Sequence, residues 1–179
     1  MEDRPKEGPG PASEIRLATE SDLQDISDLI NLTYSGYSGK RGWTSEVDLI
    51  SGQKVTPKSI ENNKCIIIKK NGKLVGSVFS EPRFESDCLY IFGLTVRPEW
   101  QNKKIGSDLL FAAEIAARIE KLSKTEVTVL SPRKELLDWY KRRGYKDYGV
   151  RMPVPENIGI PKVKDLEFVV LTKDLNCAT

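Results

Sequence analysis

The residue types missing from this chain restrict the chemistry it can perform. The sequence contains no histidine, which removes Ser-His and Cys-His nucleophile pairs together with the usual zinc ligands. Its cysteines, Cys65, Cys88 and Cys177, lie far apart without metal-ligand spacing. We therefore expect no metal site and reduced thiols, with Cys65 and Cys88 buried in strands. Catalysis must use carboxylates, tyrosines, backbone groups or a bound cofactor.

A polar turn in the middle of the chain offers a site for an anion. In TVRPEWQNKKIGSDLL, residues 95–110, an apolar run breaks at Arg97 and resumes with helical periodicity after Gly106. Backbone N–H groups at such a helix start bind phosphate, aided by the helix dipole, and Lys103 and Lys104 add positive charge. The spacing is neither that of a triphosphate-binding loop nor G-x-G-x-x-G. The alternative is an ordinary solvated turn.

Composition and charge favour one ordinary folded domain. The length of 179 residues suits a single core, and a net charge of +2 is too close to neutral to suggest a nucleic acid or an anionic membrane as the main partner. No run approaches the ~20 apolar residues of a membrane span. The start is rich in Pro, Gly and charge and lacks a signal-peptide core. We expect a disordered tail over residues 1–13, one domain over residues 14–176, and a cytoplasmic or nuclear location.

The elements that position these residues follow from the periodicity. The order β α α β β β α β α β β predicts a mixed α/β sheet with helices on both faces. The first strand, from Glu14, precedes a helix capped near Thr19. A glycine-rich connector is predicted to hold two short helices that begin near Thr44 and Thr56. The stretch KCIIIKK-NG-KLVGSVFSEPRF is a hairpin with a two-residue Asn-Gly turn.

The second half supplies a central strand and two helices. The run CLYIFGLTV, from Cys88, is apolar at nearly every position, as expected of a strand covered on both faces. Gly93 within it predicts a bulge or a close backbone approach. The next helix presents one apolar face, which comprises Ile105, Leu109, Ala112, Ala116 and Ile119. In SPRKELLDWYKRRG, Ser131 is the predicted N-cap, Pro132 the first helical residue and Gly144 the terminator. Two strands, YKDYGVRMPV and DLEFVVLTKDL, follow.

Two motifs resemble those of the GCN5-related N-acetyltransferase (GNAT) superfamily. The polar turn is similar to its acyl-coenzyme A binding segment, Gln/Arg-x-x-Gly-x-Gly/Ala after a central strand: Gln101 and Gly106 match, and Lys104 stands where the first glycine is usual. The stretch LLDWYKRRGY is similar to the A-x-x-L-Y-E-K-x-G-F signature, with Tyr140 at the tyrosine and Arg133 in place of the usual upstream asparagine. Residues RGWTSEVDLISGQKVT also resemble a block found in one subgroup of unassigned substrate.

The resemblance covers nearly the whole folded chain and implies a fold and a cofactor. The fold is a mixed, mostly antiparallel sheet of about six or seven strands, with helices on both faces and a splayed central strand pair. The strand bearing Leu94–Val96 would part from the strand bearing Val127–Leu130, and the pantetheine arm of acetyl-CoA would lie between them. The implied cofactor-binding residues are Leu94, Thr95, Val96, Gln101, Asn102, Lys103, Lys104, Ile105, Gly106, Ser107 and Arg133.

Acetyl transfer also needs catalytic groups. It requires a neutral amine, stabilisation of the developing oxyanion and a hydrogen bond to the departing thiolate. The resemblance implies a backbone N–H near Leu94–Val96 for the oxyanion and Tyr140 for the sulfur, although Tyr140 has the alternative of being a core aromatic. Because Leu89–Val96 contains no carboxylate, the base is a water relay or a residue from elsewhere. Glu46 is the first candidate and Glu81 the second.

The acceptor pocket is predicted from aromatic residues in and after the first helix. Tyr34, Tyr37 and Trp43, with Glu81, would line it, because aromatic faces favour a cation or an apolar amine. The alternative is packing of the first helix against the sheet.

These patterns predict an acetyl-CoA-dependent N-acetyltransferase that acts on a primary amine of a small molecule or peptide by direct attack on the thioester. The alternative is a catalytically impaired GNAT-fold module that binds acyl-CoA, which Lys104, Arg133 and the missing strand carboxylate motivate. Nucleic-acid binding through RKELLDWYKRRGYK ranks below both, so we expect neither a nucleic-acid nor a membrane partner. A homodimer paired through the apolar strand EFVVL is left open.

Overall fold

The computed structural model describes residues 13–35, 47–49, 56–155, 159–161 and 164–176. The strands are β1 (Ser13–Leu17), β2 (Val47–Leu49), β3 (Lys64–Lys70), β4 (Lys73–Arg83), β5 (Cys88–Val96), β6 (Lys124–Leu130), β7 (Lys146–Pro153), β8 (Gly159–Pro161) and β9 (Glu167–Asp174). The α-helices are α1 (Leu23–Ser35), α2 (Pro57–Asn62), α3 (Ile105–Ile119) and α4 (Lys134–Lys141). Among the helices of these residues, none combines the length and apolar character that a transmembrane span requires.

Most of the described strands form one sheet, in the order β1-β3-β4-β5-β6-β9-β7. Every neighbouring pair is antiparallel except β5 and β6, which run parallel. A parallel pair requires a crossover, and α3 provides it. The strands β2 and β8 form a separate antiparallel pair. The predicted mixed, mostly antiparallel sheet is confirmed.

Helices cover both faces of this sheet, as predicted. The core under α1 contains Ile26, Leu29, Cys65, Ile67, Leu74 and Phe79. The core under α3 and α4 includes Val78, Leu89, Ile91, Leu109, Ala113, Val127 and Leu171. Successive residues of β5 therefore face different helices, which explains why this strand is apolar nearly throughout. The helix α3 approaches β4 closely at Gly76, where a Cβ atom would lie 2.8 Å from Ile105 Cγ2.

Several local signals in the sequence are confirmed. In the turn between β3 and β4, Asn71 has φ 50° and Gly72 has φ 77°, as a type I′ hairpin turn requires. Before α1, the Thr19 N–H donates to the Asp22 carboxylate over 2.9 Å, which completes a capping box. The hydroxyl of Thr56 accepts a backbone N–H and caps α2.

The prediction of a helix that begins near Thr44 is wrong over Val47–Leu49. These residues form β2 and pair with Gly159–Pro161 of β8, while residues 44–46 lie outside the described residues. Pairing with a segment far away in the sequence has outweighed the local helical pattern.

The helix α4 begins later than predicted. Its first residue is Lys134 and its N-cap is Arg133, with no capping side chain, so the assignment of Ser131 and Pro132 to the helix start is wrong. The Ser131 N–H donates to the Glu167 carbonyl over 2.9 Å. That bond extends the β6–β9 ladder by one residue, so the helix begins only after Ser131 and Pro132.

Two further predictions need correction. Ile119 is 73% exposed, because the buried positions of α3 recur every fourth residue, from Ile105 through Leu109 to Ala117. A four-residue repeat drifts around a helix of 3.6 residues per turn, so Ile119 opposes the buried side in the last turn.

The strand β9, which contains EFVVL, lies between β6 and β7 and is paired along both sides. It therefore has no free edge for pairing across a dimer.

Candidate functional site

The site is built around a gap between the central strands β5 and β6. Their parallel pairing ends at Ile91 opposite Val127. Beyond this row β5 remains paired with β4 as far as Val96, and β6 remains paired with β9 as far as Leu130. The two strands therefore part at their carboxyl ends, which confirms the predicted splayed pair.

A bulge at Gly93 starts this separation. Phe92 pairs with Phe79, yet Thr95 pairs with Ser77, so β5 carries one residue more than β4 over this interval. Gly93 has φ 58°, a backbone conformation that residues with a side chain rarely adopt. A bulge bends its strand and increases the local twist, and here it turns β5 away from β6.

The gap leaves one side of β5 available to an extended ligand. Beyond Ile91, β5 is paired only with β4, so backbone groups of Leu94–Val96 that point toward β6 face the gap. Extended groups bind to such strand edges through main-chain hydrogen bonds. The side chain of Thr95 is 3% exposed and bonds Ser77 over 2.8 Å, so Thr95 can offer the ligand only its backbone.

The start of α3 lies at the carboxyl end of β5. Lys104 is its N-cap, with φ 65° and no capping side chain. This left-handed conformation explains why glycine is usual at that position of the motif. The first turn, Ile105–Ser107, points its backbone N–H groups toward the turn that precedes it. Nearby, Lys103 Nζ lies 5.0 Å from the centre of the Trp100 ring.

Arg143 joins α4 to this first turn of α3. Its guanidinium lies 3.7 Å from the centre of the Trp139 ring and donates to Ser107 Oγ over 2.8 Å and to the Trp139 carbonyl over 2.9 Å. Burial, followed by repulsion from Arg142, lowers the pKa of this guanidinium. An anion bound at the first turn of α3 would lie beside this guanidinium, whose fork of N–H donors suits a phosphate group.

Trp139 forms a wall of the same space. A Cβ atom on Gly106 would lie 3.6 Å from Trp139 Cζ2 and 3.7 Å from Leu94 Cδ2 and Val96 Cγ2. The ring of Trp139 therefore faces both the start of α3 and the free end of β5. The sequence offered Arg143 only as one of several basic residues of this helix that could contact the cofactor or face solvent, and it did not indicate Trp139, although both belong to the motif that carries Tyr140.

Tyr140 is buried between α4 and the sheet. It is 6% exposed, and its ring makes edge contacts with Trp139, at 4.9 Å between centroids, and with Tyr145, at 5.4 Å. Tyr145 is held by Thr125 Oγ1 over 3.0 Å and donates to Glu114 over 3.3 Å. Burial raises the pKa of Tyr145 far above its ordinary value, so this second tyrosine stays a neutral, structural group.

The opposite face of the gap carries polar and aromatic side chains from β4, β5 and β6. The rings of Tyr90 and Phe92 stack at 5.4 Å, and Phe92 stacks on Phe79 at 5.7 Å. The Tyr90 hydroxyl bonds Thr128 Oγ1 over 2.8 Å, and the Arg83 guanidinium lies 4.0 Å from the centre of the Tyr90 ring. Only the strand register brings these residues together, so sequence periodicity alone could not have identified them.

The predicted cofactor residues gather around the gap and the start of α3. Leu94–Val96 form the end of β5. Residues 101–107 form the turn before α3 and the first turn of that helix, and Arg133 occupies the N-cap position of α4. The Arg133 guanidinium forms an ion pair with Glu135 over 2.5 Å.

The predicted acceptor residues are less completely placed. Glu81 lies on β4 with an exposed carboxylate 3.7 Å from Arg83. Tyr34 lies in α1, but its side chain is outside the described residues, as are Tyr37, Trp43 and Glu46. Within the described part of the chain, no cluster of three or more metal-ligating side chains occurs.

Comparisons with known proteins agree with this geometry. The chain is 28% identical over 149 residues to the S-alkylcysteine N-acetyltransferase of Bacillus subtilis (strain 168), an alignment that covers 75% of this chain and 79% of that protein. The structure of smu.2055 from Streptococcus mutans UA159 matches with a TM-score of 0.70 and 18% identity, over 90% of this chain and 98% of that one.

A third relative bears on the cofactor. The structure of yncA from Salmonella typhimurium, solved with its cofactor acetyl-CoA, matches with a TM-score of 0.66 and 15% identity, over 94% of this chain and 96% of that one. At such identities the structural likeness shows the fold. The sequence profile described as Acetyltransferase (GNAT) family matches residues 23–145, and this match shows that the chain belongs to that family of acetyl-CoA-dependent acyltransferases.

Proposed function

We propose that the chain transfers the acetyl group of acetyl-CoA to a primary amine of a small molecule or peptide by direct attack, and that an S-substituted cysteine is the first acceptor to test. The observation that carries this proposal is the gap beyond Ile91 and Val127, flanked on one side by the start of α3 and by Tyr140. We further propose that residues 14–176 form a single catalytic domain.

The residues around the gap fit acetyl-CoA in shape and charge. The free side of Leu94–Val96 suits an amide-containing arm that adds as an extended strand. The first turn of α3 offers N–H groups and a helix dipole to a pyrophosphate. Arg143 and Lys103 add cationic groups there, and the Arg143 guanidinium already donates to Ser107 Oγ of that turn. When bound, acetyl-CoA supplies an activated acetyl thioester.

Tyr140 is proposed as the hydrogen-bond donor for the departing sulfur. Phenols have a reference pKa of about 10 and thiols of about 8.5, so a phenol at neutral pH is protonated and can donate to a thiolate. Full proton transfer would be somewhat uphill in water. Burial of Tyr140 between Trp139 and Tyr145 fixes the ring, so the hydroxyl needs no reorganisation during the reaction.

The acceptor is proposed to bind on the face of the sheet that α1 covers. There the stacked rings of Phe92 and Tyr90 offer an apolar surface beside the gap. The Bacillus subtilis relative is an S-alkylcysteine N-acetyltransferase, whose substrate class combines an amine with an apolar thioether. The stacked rings suit such a thioether, because sulfur makes favourable contacts with aromatic rings.

The test is thiol release from acetyl-CoA in the presence of S-methyl-L-cysteine and a panel of other amines and peptides. Burial raises the pKa of Cys65 to about 12 and that of Cys88 to about 11, so these two thiols should add little background at neutral pH. Amine-dependent thiol release with formation of the acetylated amine supports the proposal. Tight binding of acetyl-CoA without release for any acceptor would contradict it and favour a binding module.

A further inference from the structure

A carboxylate lies beside the point at which β5 and β6 separate. Glu126 of β6 is directly opposite Tyr90 of β5, one row before the last paired row, Ile91 and Val127. Because side chains alternate along a strand, Glu126 and Tyr90 point to the face opposite α3, where the acceptor is proposed to bind. The side chain of Glu126 is 23% exposed, so solvent and small ligands can reach it.

The neighbours of Glu126 hold it in place. Arg83 Nη1 donates to Glu126 Oε1 over 3.2 Å, and the same guanidinium stacks on Tyr90. Arg83 Nε also lies 3.7 Å from Glu81 Oε2. One guanidinium is thus shared between two carboxylates, which leaves oxygen acceptors of Glu126 for a second cation.

The hydroxyl of Tyr90 connects this carboxylate to the gap. It bonds Thr128 Oγ1 over 2.8 Å, and Thr128 is the next residue of β6 on the same face as Glu126. Two residues of a strand span about 6.6 Å between their Cα atoms, which exceeds the reach of one water with two hydrogen bonds of about 2.8 Å. The long side chain of Glu126 must therefore cover part of this distance before one bridging water can complete the link to Thr128.

From this placement we propose that Glu126 is the general base of the acetyl transfer: it binds the acceptor's ammonium group and takes one of its protons, directly or through a water held at Tyr90 and Thr128. The inference rests on the proposed function. Glu126 returns that proton to solvent after each turnover. The acetyl group replaces a second hydrogen of the nitrogen. The proton displaced in this step ends on the coenzyme A sulfur, which departs as the free thiol beside Tyr140.

Other charges on this face are more distant from the gap. Among the described residues, the charged side chains on the strands that share the face with Glu126 are Glu81 and Arg83 of β4, Lys124 of β6, Asp174 of β9, Lys146 of β7, Lys69 of β3, and Glu14 and Arg16 of β1. Lys69 and Arg16 both pair with Asp22, which precedes α1. Lys124 and Asp174 face each other two rows farther from the gap than Glu126. Asp174 therefore lies outside the proposed site, and Asp174→Asn, which removes a carboxylate from the same face, is the matched control.

The experiment compares wild type, Glu126→Gln and Asp174→Asn with S-methyl-L-cysteine, or with the best acceptor of the amine panel, from pH 6 to pH 9.5. Without its base, the Glu126→Gln protein can use only the fraction of the acceptor whose amine is already neutral in solution. Its kcat/KM should therefore be at least about 100-fold below wild type at pH 7, and the deficit should shrink as the pH approaches the pKa of the amine. Asp174→Asn should follow wild type at every pH.

Two readouts separate this role from a structural one. Calorimetric Kd values for acetyl-CoA should agree within twofold among the three proteins, and Glu126→Asp, which keeps the carboxylate, should restore part of the activity at pH 7. A deficit of Glu126→Gln that is the same at every pH, or equal to that of Asp174→Asn, would overturn the inference. No amine-dependent turnover by wild type would instead overturn the proposed function.

Discussion

Replacing Gly106 with alanine is expected to stabilise the free protein and to weaken acetyl-CoA binding. Gly106 lies in the first turn of α3, so alanine gains up to about 1 kcal/mol of helix propensity. Its methyl group would lie 3.6 Å from Trp139 Cζ2 and 3.7 Å from Leu94 Cδ2. These are ordinary van der Waals distances, so the methyl adds buried apolar area without a clash.

Together these contributions predict a gain of about 0.5–1.5 kcal/mol in the free energy of unfolding, or a rise of roughly 2–5 °C in Tm for a chain of this size. The same methyl group fills space between Trp139 and the free end of β5, where we place the pantetheine arm. We therefore expect acetyl-CoA to bind about tenfold more weakly, which corresponds to about 1.4 kcal/mol.

Thermal unfolding and calorimetric titration with acetyl-CoA measure the two effects. Gly76→Ala is the matched control, because its methyl group would lie 2.8 Å from Ile105 Cγ2, 2.9 Å from Leu109 Cδ1 and 3.1 Å from the Thr95 carbonyl. Such overpacking should lower stability by about 1–3 kcal/mol. If Gly106→Ala binds acetyl-CoA as tightly as wild type, the placement of the arm is refuted; if it unfolds at a lower temperature, the packing argument fails.

Three further predictions concern the site and the fold. Tyr140→Phe should lower turnover at least about tenfold with acetyl-CoA affinity kept, whereas Tyr145→Phe should cost about 1–2 kcal/mol of stability through its lost buried hydrogen bonds; steady-state kinetics showing equal turnover for both variants would contradict this. Arg143→Gln should weaken acetyl-CoA binding and flatten its salt dependence in calorimetry, and an unchanged Kd would rule out an anion contact. Arg16 holds the pKa of Asp22 well below its usual range, so ionised Asp22 stabilises the fold above the unfolded-state pKa of about 4, and this contribution is lost as the pH falls toward the folded-state value. Urea unfolding should show Asp22→Asn less stable than wild type by on the order of 3 kcal/mol at pH 7, with the difference shrinking below about pH 4; a difference that persists unchanged at pH 3 would argue against this ion pair.

Local chemistry made part of the fold predictable from sequence. The Asn71-Gly72 turn, the capping residues before α1 and α2 and the apolar run of β5 each depend on neighbours within a few residues, and all are confirmed. Glycine in the interior of β5 indicated either a bulge or a close backbone approach, and the register of β5 against β4 confirms the bulge.

Structural features that depend on pairing with residues far away in the sequence could not be predicted from local patterns. The strand Val47–Leu49 exists through its pairing with β8, and no short window of sequence contains both partners. The proposed base illustrates the same limit: Glu126 meets Tyr90 only through the register of two parallel strands. Sequence reasoning could note that Leu89–Val96 lacks a carboxylate, but it could not see which residue of β6 lies opposite.

Hydrogen exchange with and without acetyl-CoA tests the central claim, that the gap between β5 and β6 holds the cofactor, most directly. We predict slower exchange of backbone amides in Leu94–Val96 and Gln101–Ser107 on binding, with the hairpin of β3 and β4 unchanged around Asn71-Gly72. Binding of acetyl-CoA that leaves both of the first two segments unprotected would contradict the account.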